Sequence, residues 1–274
     1  WASKYDSNEY SLPEEKVFAA IDGKQPVVVA RTGWEAQDQY LAIKGGQANL
    51  GHAHMDAGSF CYEAHGYRWV TDFIQDEYAI VEKAVADLKC GDLWDYGNGS
   101  TRWKAFRWSP RQHSTITVND AEHDVNGNAR VIDVSRNETA MGATVDLTTT
   151  LKSEVESAVR TALIKDEEYL EITDVIKAKD SKPAAVRWCF PTQGVPTLTE
   201  DGIELTREGV TVILKASAEY QVEYGIWAND PELADFPTPF CEYEEVRDGE
   251  YYCGFKVTIP AGKKSEIKIT IKKK

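Results

Sequence analysis

From residue 130 onward the chain consists of little but short β-strands. Apolar positions alternate with polar ones, or form brief runs, near 130–135, 143–150, 157–165, 169–177, 185–190, 203–206, 210–215, 222–226, 251–259 and 265–272. Turn chemistry separates them at Asp180 to Pro183, Asp201-Gly202, Glu208-Gly209 and Asp248-Gly249. Successive strand side chains point to opposite faces, so this alternation gives one face to a core and the other to water. The same rhythm opens the chain at Val17 to Ile21, Val27 to Arg31 and Tyr40 to Lys44. Many strands joined by short turns predict an all-β protein, a large antiparallel β-sandwich of stacked sheets with at most one or two short helices. The best helix candidate is Asp76 to Leu88, with Asp76 as its cap and Lys89-Cys90-Gly91 as its end. Residues 17–274 read as the sandwich, with room for a small C-terminal subdomain after about 195. Residues 1–16 are polar and read as a linker or the tail of a preceding domain.

Composition narrows the function. A net charge of −14 argues against general nucleic-acid binding. The five cysteines are an odd number without a C-x-x-C pair, so they form neither a disulfide framework nor a zinc ribbon. Cys241 and Cys253 flank the turn at Asp248-Gly249 and are a candidate pair for bridging in an oxidising compartment. No apolar run is long enough for a membrane span. Trp1 is not an initiator methionine and no signal peptide opens the chain, which therefore reads as a piece of something longer.

The chemistry gathers between Gly45 and Tyr78 (GGQANLGHAHMDAGSFCYEAHGYRWVTDFIQDEY), which holds three of the five histidines. On a strand, His52, His54 and Asp56 share one face. Ala64 to Gly66 reads as a tight turn, and the return strand ends on Asp72. Two imidazoles and a carboxylate across a hairpin suit zinc, although His-x-His is also an ordinary polar strand pattern. Judged on register alone, Asp56 is the carboxylate nearest the imidazoles. Downstream, Gly91 to Gln112 interleaves Trp94, Trp103 and Trp108 with Arg102, Lys104, Arg107 and Arg111. Aromatics stack on sugar faces and arginines clamp carboxylates or sulfates; tryptophans plugging a core, with cations paired to local acids, is the competing interpretation. His113 opens a strand at 113–118 and is a candidate third imidazole, whereas His65 and His123 read as solvated turn residues.

Three separated blocks, KGGQANLGHAHMDAGSF, then GYRWVTDF with Tyr78, then RQHSTITVND, resemble the C-terminal β domain of the heparinase II/III-like polysaccharide lyases. Weaker agreement extends over most of residues 17–190. The resemblance implies a β-sandwich packed beside an N-terminal helical toroid, and β-elimination on an acidic, uronic-acid polysaccharide of heparan sulfate or alginate type. By position, His54, Asp72 and His113 look like the metal ligands, for zinc rather than Ca2+ or another divalent cation. His52 and Tyr78 look like the catalytic pair facing substrate. Asp56 then becomes a partner that fixes an imidazole tautomer, and a bulge near Gly58 is needed to bring His54 to Asp72. Arg107, Arg111 and Trp103 are the substrate-binding candidates. The toroid normally supplies a further catalytic tyrosine, so residues 1–274 alone are expected to be almost inactive. The substrate class places the protein in the periplasm or outside the cell. A cupin-type metalloenzyme and a non-catalytic carbohydrate-binding module are the rival expectations.

Overall fold

A computed structural model describes residues 11–72, 78–227, 239–240, 242–244 and 248–274. The described residues form three antiparallel sheets. The first is a five-stranded meander of β1 (Val17–Ala20), β2 (Val27–Arg31), β3 (Tyr40–Lys44), β4 (Phe60–Ala64) and β5 (Tyr67–Val70). After it come the helix α1 (Tyr78–Leu88), two 3-10 turns at Thr101–Lys104 and Phe106–Trp108, and β6 (Ile116–Val118).

The remaining strands are β7 (Arg130–Asn137), β8 (Ala140–Asp146), β9 (Val155–Lys165), β10 (Tyr169–Ala178), β11 (Ala184–Thr192), β12 (Val195–Leu198), β13 (Ile203–Arg207), β14 (Val210–Ser217), β15 (Glu223–Trp227), β16 (Tyr251–Ile259) and β17 (Lys264–Lys273). They make an eight-stranded sheet in the order β12-β13-β14-β17-β10-β9-β8-β7 and a four-stranded sheet in the order β15-β16-β11-β6. The stretch after residue 195 thus adds strands to shared sheets rather than building a sheet of its own.

The all-β expectation is met, and its physical reason is visible along β9, β10 and β17, where every second residue is buried over most of the strand. The five-stranded sheet lays β2 and β3 against β8 and β9. Between the sheets lies one continuous apolar cluster that includes Leu41, Phe60, Val145, Ile172, Trp188, Phe255 and Ile269. Trp188 and Phe255 stack at 5.3 Å between ring centres.

Two charged residues interrupt this apolar interior. Arg160 on β9 and Asp174 on β10 face each other, both fully buried, through paired 2.8 Å hydrogen bonds. Asp174 also accepts the Trp188 indole N–H at 2.9 Å. The guanidinium donates its remaining reach to the carbonyls of Gly58 (2.8 Å) and Ser114 (3.0 Å). One buried cation therefore ties the large sheet to two segments that carry histidines.

Those segments belong to a second, smaller layer outside the sandwich. It packs Met55, Val81, Ala84, Leu93, Trp103, Trp108, Val125 and Phe240 into a separate cluster. Helix α1 contributes its Val81 and Ala84 face, and Lys89 (φ 49°) and Gly91 (φ 122°) end it where the sequence predicts. The proposed cap, Asp76, lies outside the described residues. Of the suggested pair Cys241 and Cys253, Cys253 is a free, buried thiol and Cys241 lies outside the described residues. Among the described residues no helix is long and apolar enough to cross a membrane.

Candidate active site

The histidine row is not on a strand. Residues 47–59 run as bends and turns, and β4 starts only at Phe60, so the two-residue alternation read from His52, His54 and Asp56 does not apply. Backbone bonds from the Asn49 amide to Val125 and from the Met55 amide to Trp108 tie this segment to other loops instead of to a neighbouring strand. The bulge is also elsewhere: the β4–β5 register slips at Tyr62/Glu63 rather than near Gly58. Gly58 has a different task. It takes φ +80°, and a Cβ there would stand 2.9 Å from Leu147.

Polar side chains staple the loop in place. Ser114 Oγ accepts the Phe60 amide at 2.9 Å and donates to the Phe60 carbonyl at 2.6 Å. Thr115 donates to the Ala57 carbonyl, and the Met55 amide donates to the Trp108 carbonyl at 3.0 Å. With Arg160 holding Gly58 and Ser114, these bonds set His113 beside the 52–58 loop. His113 itself precedes β6 in a turn rather than opening a strand.

Two groupings of side chains result. In the first, His113 is fully buried and its Nδ1 lies 2.9 and 3.2 Å from the two oxygens of Asp72. The His54 ring lies 5.1 Å from the His113 ring, centre to centre. Burial is the largest influence on His113 and opposes its charge, yet the Asp72 carboxylate and its hydrogen bond, helped by Asp56, outweigh it and raise the pKa. Burial, and then the neighbouring His113, push His54 down to about 3. The buried Nε2 of His113 has no hydrogen-bond partner among the described residues. Asp56 is engaged by Lys44, whose ammonium lies 2.7 Å from both carboxylate oxygens, and the groups next to it hold its pKa down despite burial. The carboxylate that touches an imidazole is Asp72.

The donor chemistry of His54, Asp72 and His113, two nitrogens and one oxygen, fits zinc, and the partnerless Nε2 is the kind of atom a metal would satisfy. Their present arrangement is a contact pair with a neighbour: among the described residues no three such groups close into a metal-binding cluster.

In the second grouping, His52 is exposed and held in the left-handed region at φ 63°, an uncommon conformation for a non-glycine residue. Its amide donates to the Tyr96 hydroxyl at 3.2 Å, and its Nδ1 lies 3.0 Å from the Tyr78 hydroxyl. The Tyr78 ring is sandwiched, stacked at 5.3 Å on Trp94 and at 5.6 Å on Trp108. His52 and Tyr78 are thus brought together as a hydrogen-bonded pair, and His54 reaches the same column through Trp108 at 6.4 Å.

The substrate-binding candidates lie elsewhere. Trp103 is buried, its indole N–H bonded to the Gly97 carbonyl, and Arg107 is buried too. Arg111 is buried and donates to the Asp120 carbonyl at 2.8 Å. They pack within the loop layer, where Trp103 and Arg111 line a cavity of about 310 Å³. His123 is likewise buried rather than solvated, its Nε2 donating to the Ile116 carbonyl. His65 does sit in a turn, at φ 57°. Arg160, Asp174 and Lys44 escaped the sequence reading. A charged residue in the apolar phase of two adjacent strands was the signal for the first two.

Comparison with known proteins agrees with this fold. Residues 81–267 match the family model described as heparinase II/III-like, C-terminal. No curated protein sequence matches the chain significantly. Among solved structures, a heparinase III superposes with a TM-score of 0.69 at 13% identity, over 96% of this chain and 36% of that one. The heparan sulfate lyase HepC from Pedobacter heparinus superposes with a TM-score of 0.65 at 13% identity, over 95% of this chain and 37% of that one. The chain spans little more than a third of the length of these relatives.

Proposed function

Because this chain belongs to the heparinase II/III-like C-terminal domain family, we propose that it serves a polysaccharide lyase that cleaves uronic-acid glycans by β-elimination. The observation that carries the proposal is the His52–Tyr78 pair, 3.0 Å apart, in the loop layer that also holds the pair of buried His113 and exposed Asp72. Elimination takes the proton alpha to a uronate carboxylate and expels the 4-oxygen, so it needs a proton acceptor, a proton donor and relief of the carboxylate charge. His52 presents an exposed imidazole to substrate, and the shared hydrogen bond lets a proton pass between it and the Tyr78 hydroxyl. The stacked tryptophans fix the tyrosine ring, so the hydroxyl keeps its position without a cost in side-chain freedom.

Zinc, held by His54, Asp72 and His113, is the proposed cofactor; it would supply a fixed positive charge and hold the two histidine-bearing segments together. The acidic polysaccharide is the proposed partner, together with an N-terminal helical toroid, and a periplasmic or secreted location follows from that substrate. On this reading residues 1–274 alone are nearly inactive, lacking the toroid's share of the site.

The test uses the complete protein and the unsaturated uronate product. His52→Ala should reduce product formation by about a hundredfold or more while leaving the unfolding transition unchanged. Near-normal turnover would remove His52 from the mechanism. Elemental analysis should find about one zinc per chain, lost in His54→Ala and Asp72→Ala and kept in Asp56→Ala.

A further inference from the structure

The stacked column that fixes Tyr78 has one unexplained end. Trp108 closes the inner side and is buried, Tyr78 is half-buried, and Trp94 ends the column with 44% of its surface in water. Of the three tryptophans in the 91–112 loop, two serve the core; Trp94 is the third. A single exposed apolar residue is ordinary; Trp94 differs in being stacked on the proposed catalytic tyrosine and set beside His52. The ring is also held still: its backbone amide is bound by the Asp92 carboxylate at 2.8 Å, one neighbour stacks at 13°, and the His52 ring meets it edge-on at 6.0 Å. A rigid indole beside the proposed catalytic imidazole is built to receive a flat apolar face.

We propose that Trp94 is a stacking platform for the sugar ring adjoining the uronate at which elimination occurs, and that it takes an uncharged ring. The proposal rests on the lyase reading above and specifies its substrate. The charge of the surroundings decides the second part. Trp94 borders a shallow depression of about 490 Å³ whose ionisable lining is Glu82, Asp92 and Lys89, two carboxylates to one ammonium. A sulfate or carboxylate on the stacked ring would meet net negative charge there, whereas the apolar C–H face of an unsulfated hexosamine would not. Of the cations of the same loop, Arg102, Arg107 and Arg111 are buried in the layer beneath, and the exposed Lys104 does not line the depression.

The experiment compares wild type, Trp94→Ala and Trp94→Phe in the complete protein. The probes are an unsulfated glucuronate–N-acetylglucosamine hexasaccharide and its N- and 6-O-sulfated counterpart, with unsaturated product followed by absorbance. Trp94→Ala should raise KM for the unsulfated probe about tenfold, with kcat falling as well because the stack that fixes Tyr78 loses one face. Trp94→Phe should recover most of that loss, and the preference for the unsulfated probe should shrink in Trp94→Ala. An unchanged KM, or a fall in kcat alone, overturns the platform. A wild-type preference for the sulfated probe overturns its uncharged character. Should the wild type form no unsaturated product, the lyase reading fails separately, and binding of the unsulfated probe then decides: affinity weakened about tenfold in Trp94→Ala supports the platform, and equal or undetectable binding overturns it.

Discussion

Strands β8, β9, β10 and β17 bury alternate residues in one broad apolar cluster, whereas segments 47–58 and 91–115 bury theirs in a small cluster with almost no strand in it. The sandwich is held by repetition, many similar side chains each contributing a little. The loop layer is held by particular contacts: Arg102 lies over the rings of Trp108 and Tyr96 at 4.4 and 4.6 Å and donates to the Ala53 carbonyl, and Ser114 and Thr115 bond to the backbone of 57–60. Regularity makes a region stable against single changes but leaves no irregular surface for chemistry. The loop layer supplies that surface and depends on a handful of polar anchors.

The sharpest break in this contrast is at Asp174, where the two regions meet. Asp174→Ala strands the buried Arg160 charge and orphans the Trp188 indole N–H, and should cost about 3–5 kcal/mol. Urea unfolding measures it; a loss below about 1 kcal/mol would show that the anchor is dispensable.

The next effect depends on pH. His123, under the loop layer, has its pKa lowered from 6.5 to about 4, chiefly by burial. A folded pKa below the unfolded one means the unfolded chain takes the proton first. The stability that neutral His123 contributes is therefore intact above about pH 6.5 and is lost as pH falls from 6.5 towards 4, by about 3 kcal/mol in all. His54 acts with the same sign, so the clean measurement is the difference between wild type and His123→Asn across that window. A difference independent of pH would refute the assignment.

The smallest effect sharpens the comparison rather than breaking it. Trp103→Phe removes the bond to Gly97 and should cost about 1 kcal/mol. Hydrogen exchange should quicken across 91–108 and stay unchanged in β9 and β10. Spread of the effect into those strands would mean that the two regions unfold as one.

The same contrast explains what could be read from the sequence. Strands such as 155–165 and 264–273 are legible because alternate burial writes itself into the residue order. Helix α1 is legible at its end because Lys89 to Gly91 is a stop signal, realised as two positive φ angles. His52 and Tyr78 were picked out by position and do meet, yet the strand geometry used for the histidine row does not exist. What brings His113 to Asp72 and to His54 is a set of long-range bonds, from Arg160 to Gly58 and from Ser114 to Phe60, that no local pattern encodes. Trp103 and Trp94 look alike in the sequence; only packing separates the buried one from the exposed one.

Strand order carries one more consequence. β17, the last strand among the described residues, lies in the interior of the eight-stranded sheet, hydrogen-bonded to β14 on one side and β10 on the other. Until residues 264–273 emerge from the ribosome, that sheet exists only as two incomplete fragments with facing open edges. Strand edges of this kind are sticky towards other chains. Completion of the sheet therefore waits on β17, and until that strand is in place both edges stay open to pairing with other chains.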